Sequence, residues 1–156
     1  MYYQAHAGLT AALYAPLGAV LATTDPLLAL GAGLFAVACG IVPDIDSYVS
    51  DRFLEHRGLT HTVVAAGWLA LASAGLSSIS GVATPGLAAV CAFYGVLSHL
   101  VADALNPAGI RPFVLQPSRE YALNVCRASN PLANRLLIAL GGISTLMAVG
   151  AALLAR

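Results

Sequence analysis

The sequence predicts an all-α integral membrane protein: a helical bundle of about five transmembrane helices, or four if the first segment is re-entrant. Three observations predict it. Hydrophobic residues make up 59% of the 156 and charged residues only 9%, too few polar groups to cover a soluble domain of this size. The charge is also missing over long distances: Gly58 to Ala102 and Leu136 to Ala155 hold no Asp, Glu, Lys or Arg, and Met1 to Pro43 holds only Asp25. A helix needs about 20 apolar residues to cross the hydrocarbon core, and these runs supply them. Finally, Asp25-Pro26, Thr84-Pro85 and Asn130-Pro131 each join a good N-cap to a proline at the first helical position, where its missing N–H costs nothing.

The elements follow in order along a single domain, residues 1–156. The N-terminal MYYQAHAGL lacks the cationic start of a cleaved signal, so the first apolar segment is expected to remain as span one, near 5–23, with Pro16 as a kink. The three Pro-led starts open spans two, four and five, near 26–42, 85–105 and 131–155. Span two is the shortest, about 26 Å of helix. Span three begins between Gly58 and Thr62 and fades in the Ser/Gly-rich stretch from Ser77 to Gly81. Tyr2 and Tyr3 suit an interfacial belt. Cys39, Cys91 and Cys126 form no CxxC and read as small packing residues.

The connections are unequal. Thr23 to Asp25 and Ser80 to Thr84 are short and nearly uncharged, whereas Asp44 to Arg57 and Asn106 to Asn130 are long and polar, the second broken by Pro107, Pro112 and Pro117. With five spans both long loops share the side of the N-terminus. That side carries Arg52, Arg57, Arg111, Arg119, Arg127 and Arg135, against Arg156 opposite. The positive-inside rule then makes the long-loop face cytoplasmic, in the inner or plasma membrane. A balanced charge with no Lys and no basic run argues against nucleic acid as a partner.

The ionisable residues inside this frame are grouped. His6 heads span one; Asp44 and Asp46, in GIVPDID, end span two; His56 and His61, in HRGLTH, head span three; His99 and Asp103, in SHLVAD, end span four. An up-and-down topology brings all these ends to one membrane face. His99 and Asp103 are four apart, on one helix face. Pro43 argues against helical continuation through Asp44 and Asp46, and in extended chain both carboxylates would point the same way. Gly58 allows a sharp turn, and Thr60 is placed to cap the helix or hold an imidazole. Carboxylates at mid-helix cost roughly 2.5–3.5 kcal/mol on insertion scales, so they persist where they are paired, bind an ion or line a wet cavity. His56 reads equally as a ligand or as a substrate-facing group, and Arg57 as an anion binder. Asp51, Glu55 and Glu120 read as solvated loop charges, and Arg111, Arg119 and Arg127 as topology and headgroup charges.

The order PDID, HRGLTH, a long apolar gap and SHLVADALNPAGIRPF resembles the YdjM-like family of membrane-bound metal-dependent hydrolases, from His6 to about Phe113. The resemblance implies a small multi-span bundle with a hydrolase site directed at phospholipids. By motif it implies Asp44, Asp46, His56, His61, His99 and Asp103 as site residues, with His6 a looser match. Thr62 stands where Ser is commoner, and span five carries no motif. The expected function is hydrolysis of a lipid phosphoester, with His6, Asp44, Asp46, His56, His61, His99 and Asp103 as metal ligands and Asp46, His56 and Arg57 as catalytic residues. A His/Asp set without Cys suits Zn²⁺ or Mn²⁺. Its size exceeds the ligands of one catalytic zinc, so it leaves open two ions, or one ion with a carboxylate free as general base. Two other readings are open: a metal transporter or metal-binding membrane module, and a structural bundle whose polar ends pair with one another.

Overall fold

A computed structural model of the chain describes residues 1–47, 57–116 and 118–155. Of the residues singled out above, Asp51, Arg52, Glu55, His56, Pro117 and Arg156 lie outside these. Among the described residues there are five α-helices, α1 Tyr3–Ala22, α2 Pro26–Ile41, α3 Val63–Ser80, α4 Pro85–Ala104 and α5 Pro131–Leu154, and each is long and apolar enough to span a membrane, α2 together with its continuation to Ser47. α2 runs on into a 3-10 helix, Val42–Ser47, and a second 3-10 turn, Leu59–His61, leads into α3.

The helix starts are made as the sequence requires. Asp25 accepts the Leu28 N–H at 2.9 Å, Thr84 the Leu87 N–H at 3.3 Å, and Asn130 the Leu132 and Ala133 N–H groups at 2.9 and 3.2 Å. For α3 the cap is Thr62, whose hydroxyl accepts the Ala65 N–H at 3.1 Å, and not Thr60. α3 stops at Gly81 in the left-handed conformation (φ 67°).

α1 and α4 form the centre. α1 packs against α2, α4 and α5; α4 packs against α1, α2 and α3. Two close crossings set the arrangement. A Cβ on Gly141 would collide with the Gly8 carbonyl, so α5 lies directly on α1; a Cβ on Gly95 would collide with the Ala36 carbonyl, so α4 lies directly on α2. Small residues allow such backbone approach, which supplies dispersion contacts where lipid offers no hydrophobic drive. The interior is correspondingly polar: the largest fully buried side chains include His6, Thr10, His61, Ser98, His99, Asp103 and Asn106, while Leu27, Leu76, Ile79 and Leu154 face outward.

Two features correct the sequence expectation. Asp44 and Asp46 do not sit in extended chain. Pro43 falls inside the 3-10 helix, with Val42 in right-handed helical conformation; at the first turn of a new helical segment its missing N–H leaves no bond unmade. At three residues per turn, positions two apart diverge, so the carboxylates point in different directions. The loop after α4 is also more than a polar connection. It returns to the end of α4, where Leu123 N–H donates to the Ala104 carbonyl (2.7 Å) and Val125 N–H to that of Leu105 (2.9 Å). It also forms an antiparallel bridge between Ile110 and Tyr121, and accepts the Val63 N–H on the Pro112 carbonyl at 2.9 Å. The loop thereby ties the start of α3 to the end of α4.

Candidate metal centre

Five of the expected ligands meet at one end of the bundle. His99 and Asp103 come from the last turns of α4, His6 from the first turn of α1, Asp44 from the 3-10 extension of α2, and His61 from the turn before α3. His61 and His99 are fully buried, and His6 and Asp103 nearly so. Their donor atoms form two triads that share His99: His6, His99 and Asp103, and Asp44, His61 and His99, each with one donor atom per residue and all three within 4.8 Å of one another. His6 and His99 stack with ring centroids 3.9 Å apart, and His61 meets His99 edge-on at 4.9 Å.

The hydrogen bonds around the rings fix which nitrogens face inward. His99 Nδ1 lies 2.8 Å from the Gly40 carbonyl, which can only accept, so Nδ1 carries the proton. His61 Nδ1 lies 3.2 Å from Asp46 Oδ2, an acceptor, so it too is the protonated nitrogen. If both imidazoles are neutral, their Nε2 lone pairs then face each other at 3.1 Å. Asp44 Oδ1 stands 3.5 Å from His99 Nε2 and 3.8 Å from His61 Nε2; Asp103 Oδ2 stands 3.8 and 3.7 Å from the same atoms. Neither nitrogen of His6 has a hydrogen-bond partner, although Nε2 is 3.5 Å from Asp103 Oδ1.

Two facing lone pairs between carboxylates repel one another unless a cation lies between them. Imidazole nitrogens bound to one tetrahedral zinc stand about 3.4 Å apart, close to the spacing here. The orphaned His6 nitrogens point to the same conclusion, since buried polar groups otherwise find partners. The donor set, three imidazoles and two carboxylates without thiolate, could hold a metal ion.

Asp46 and Arg57 stand around this group rather than in it. Asp46 Oδ2 accepts the Arg57 backbone N–H at 3.1 Å and the Thr60 hydroxyl at 2.8 Å, besides facing His61 Nδ1. That is the position of a carboxylate that orients a ligating imidazole and raises its basicity. Thr60 Oγ1 lies 3.1 Å from His61 Nδ1, so it holds the imidazole, one of its two expected roles. Arg57 adopts a left-handed backbone (φ 62°), which directs its N–H to Asp46. Its guanidinium reaches Asp103 Oδ2 at 3.4 Å and donates to the Gly109 carbonyl at 3.1 Å. Asp103 also accepts from the Met1 amino group at 3.0 Å.

Other contributors were not singled out from the sequence. Thr10, four residues after His6, donates to the His6 carbonyl (2.9 Å) and lies against Ser98, which donates to the Gly95 carbonyl (2.7 Å). Asn106, three after Asp103, donates to its Oδ1 at 3.4 Å. Both lie at helical spacing from a recognised site residue, which is the signal that would have found them. Asn134 of α5 accepts the Tyr2 N–H at 3.0 Å and so anchors the segment before His6; nothing in the sequence pairs these residues.

Beside the centre, and joined to it by Arg57, lies a cavity of about 370 Å³ lined by Arg57, Gly58, Leu59, Thr62, Gly109, Arg111, Phe113 and Glu120, among others. The model of the family described as "YdjM inner membrane protein" matches residues 1–155. No curated protein and no solved structure matches the chain.

Proposed function

Since the chain belongs to the YdjM inner membrane protein family, we propose that it is a metal-dependent hydrolase of lipid phosphoesters, working at the cytoplasmic face of the membrane. The observation that carries this reading is the pair of Nε2 atoms of His61 and His99 facing each other between Asp44 and Asp103, beside a cavity lined by Arg57.

His6, Asp44, His61, His99 and Asp103 would hold the cation, or two cations sharing His99. When bound, a divalent cation supplies Lewis acidity towards a phosphoryl oxygen and towards water. The rest is done by the chain. Asp46 and the Gly40 carbonyl keep His61 and His99 in the tautomers that offer Nε2 inward. Asp44, a quarter exposed at its side chain, is the carboxylate with room to accept a proton. Asp46 already receives two donors, so its role is to position His61 and not to act as the base. Arg57 lines the cavity and also reaches Asp103, and it suits a phosphoryl oxygen by its planar pair of donors.

The location of the group supports a lipid substrate and weighs against transport. A transport site is expected near mid-bilayer, whereas these residues occupy helix ends. Among the described residues the opposite halves of the five helices carry no charged side chain. A lipid held at such a site presents its headgroup while its tails stay in hydrocarbon. The orientation rests on the excess of Arg on the long-loop side.

Metal analysis of detergent-purified wild type beside Asp103→Ala and His61→Ala tests the proposal. Stoichiometric Zn or Mn in wild type, its loss in both variants, and metal-dependent release of product from phospholipid vesicles are expected. Absence of metal from wild type, or hydrolysis that survives chelation, overturns it.

A further inference from the structure

Arg111 and Glu120 bracket the cavity in a way that the hydrolase reading does not use. The isolated antiparallel bridge of Ile110 with Tyr121 (N–H to carbonyl 3.0 and 2.9 Å) brings the adjoining residues Arg111 and Glu120 to the two sides of the same turn of chain. Neighbours of opposite charge across such a bridge normally pair. These do not: Arg111 forms no ion pair or hydrogen bond among the described residues, and both line the same cavity as Arg57. The carboxylate side is fixed by Gly109. A Cβ there would meet Glu120 Cγ and Oε1 at 2.9 Å, so Glu120 lies against the Gly109 backbone, whose carbonyl holds Arg57. The cavity therefore presents two guanidinium groups, that of Arg57 also paired with Asp103 behind it, and the carboxylate of Glu120.

We propose that this cavity is a receptor for a zwitterionic aminoalkyl phosphodiester, the headgroup of a lipid bearing a primary ammonium. It rests on the phosphoester reading above and names its substrate class. The phosphate lies between Arg57 and Arg111, for which planar bidentate donors are suited. The ammonium lies on Glu120. Two guanidiniums alone would favour any anionic headgroup; Glu120 repels extra negative charge and rewards a cation at that end. A quaternary ammonium calls for a cage of aromatic rings, and among the described residues of the lining Phe113 is the one aromatic. A primary ammonium needs a hydrogen-bond acceptor, which Glu120 is. The diacyl source is favoured by the rim: Leu59, Phe113, Val114 and the neighbouring Leu115 are apolar and exposed, as expected where a lipid leaves the bilayer with its tails still immersed.

The test uses the full chain with its metal, and non-hydrolysable phosphonate analogues so that binding is read without turnover: those of glycerophosphoethanolamine and glycerophosphoglycerol as soluble probes, and the corresponding diacyl phosphonates in nanodiscs. Wild type should prefer the ethanolamine head by about tenfold, the scale of one charge-assisted contact. Glu120→Gln should abolish that preference. Arg111→Gln should weaken both heads by about tenfold and leave their ratio unchanged. Unaltered metal content reports that each variant is folded. Equal binding of the two heads by wild type, or a preference that survives Glu120→Gln, overturns the proposal. Soluble heads binding as tightly as the diacyl lipids overturn the lipid source. Headgroup selectivity without metal-dependent hydrolysis would remove the enzyme and leave the receptor; hydrolysis indifferent to headgroup would do the reverse.

Discussion

His61 shows how one side chain is specified from both ends. Its Nδ1 faces Asp46 and its Nε2 faces His99, Asp44 and Asp103. The 3-10 twist after α2 makes this possible, because it turns Asp44 to one side of the imidazole and Asp46 to the other. Removing the orienting carboxylate should loosen the ring without removing a ligand. We predict that Asp46→Ala lowers metal affinity by about 10–100-fold, the usual effect of losing such a partner, while the helical content measured by circular dichroism stays at the wild-type level. A metal titration of the purified variant checks this, and an affinity equal to wild type would return Asp46 to a role outside the centre. The residue types and spacings of His6, His99 and Asp103 were legible in the sequence, since helical periodicity places them. The orientation of Asp46 was not, because it depends on a 3-10 geometry that Pro43 argued against.

At the scale of elements, the site is only as well placed as the helix crossings beneath it. α5 contributes none of the candidate ligands, yet it fixes α1, which carries His6, through the Gly8 and Gly141 backbones and the Asn134 to Tyr2 hydrogen bond. Gly141 and Gly142 are neighbours with opposite environments: a Cβ on the first meets the Gly8 backbone, and on the second meets nothing within 4 Å. Gly141→Ala should therefore destabilise the bundle by about 1–3 kcal/mol, the range for forcing atoms into a packed contact. Gly142→Ala should leave stability unchanged or raise it by up to about 1 kcal/mol, as expected for Gly to Ala within a helix. Denaturant titration of the two variants in mild detergent distinguishes them. Similar losses in both would mean that the α1–α5 crossing is not a close one. The helix starts at Asp25, Thr84 and Asn130 were readable because a capping side chain and the following proline act within one turn. The crossings were not, because several glycines of the same helices face open space.

For the whole molecule the solvent decides which surface is which. The five helices turn leucine, isoleucine and valine outward and bury histidines, carboxylates, hydroxyls and Asn106. A soluble protein of this size would be arranged the other way round. The proposed orientation in the bilayer rests on the distribution of Arg. We predict that, in cells, a cysteine introduced as Arg119→Cys is labelled only by reagents that enter the cytoplasm. One introduced as Val82→Cys should be labelled from outside. Cys39 and Cys91 are buried, so Cys126 alone would be replaced beforehand. The opposite labelling pattern would invert the orientation and move the proposed hydrolase to the outer face of the membrane.

The sequence by itself determined the class of protein, its spans and the membrane face that collects the ionisable residues. These follow from local properties: the run length of apolar residues, the capping chemistry at each start, and the alternation of direction that short loops impose. Only the tertiary structure decided how the collected residues divide. It set five donors around shared space, withdrew Asp46 to the back of His61, joined Arg57 to Asp103 and Gly109, and folded the loop after α4 into the wall of a cavity. Each of those outcomes depends on angles and separations between segments distant along the chain. Such quantities arise from packing, and residue spacing along a single helix does not contain them.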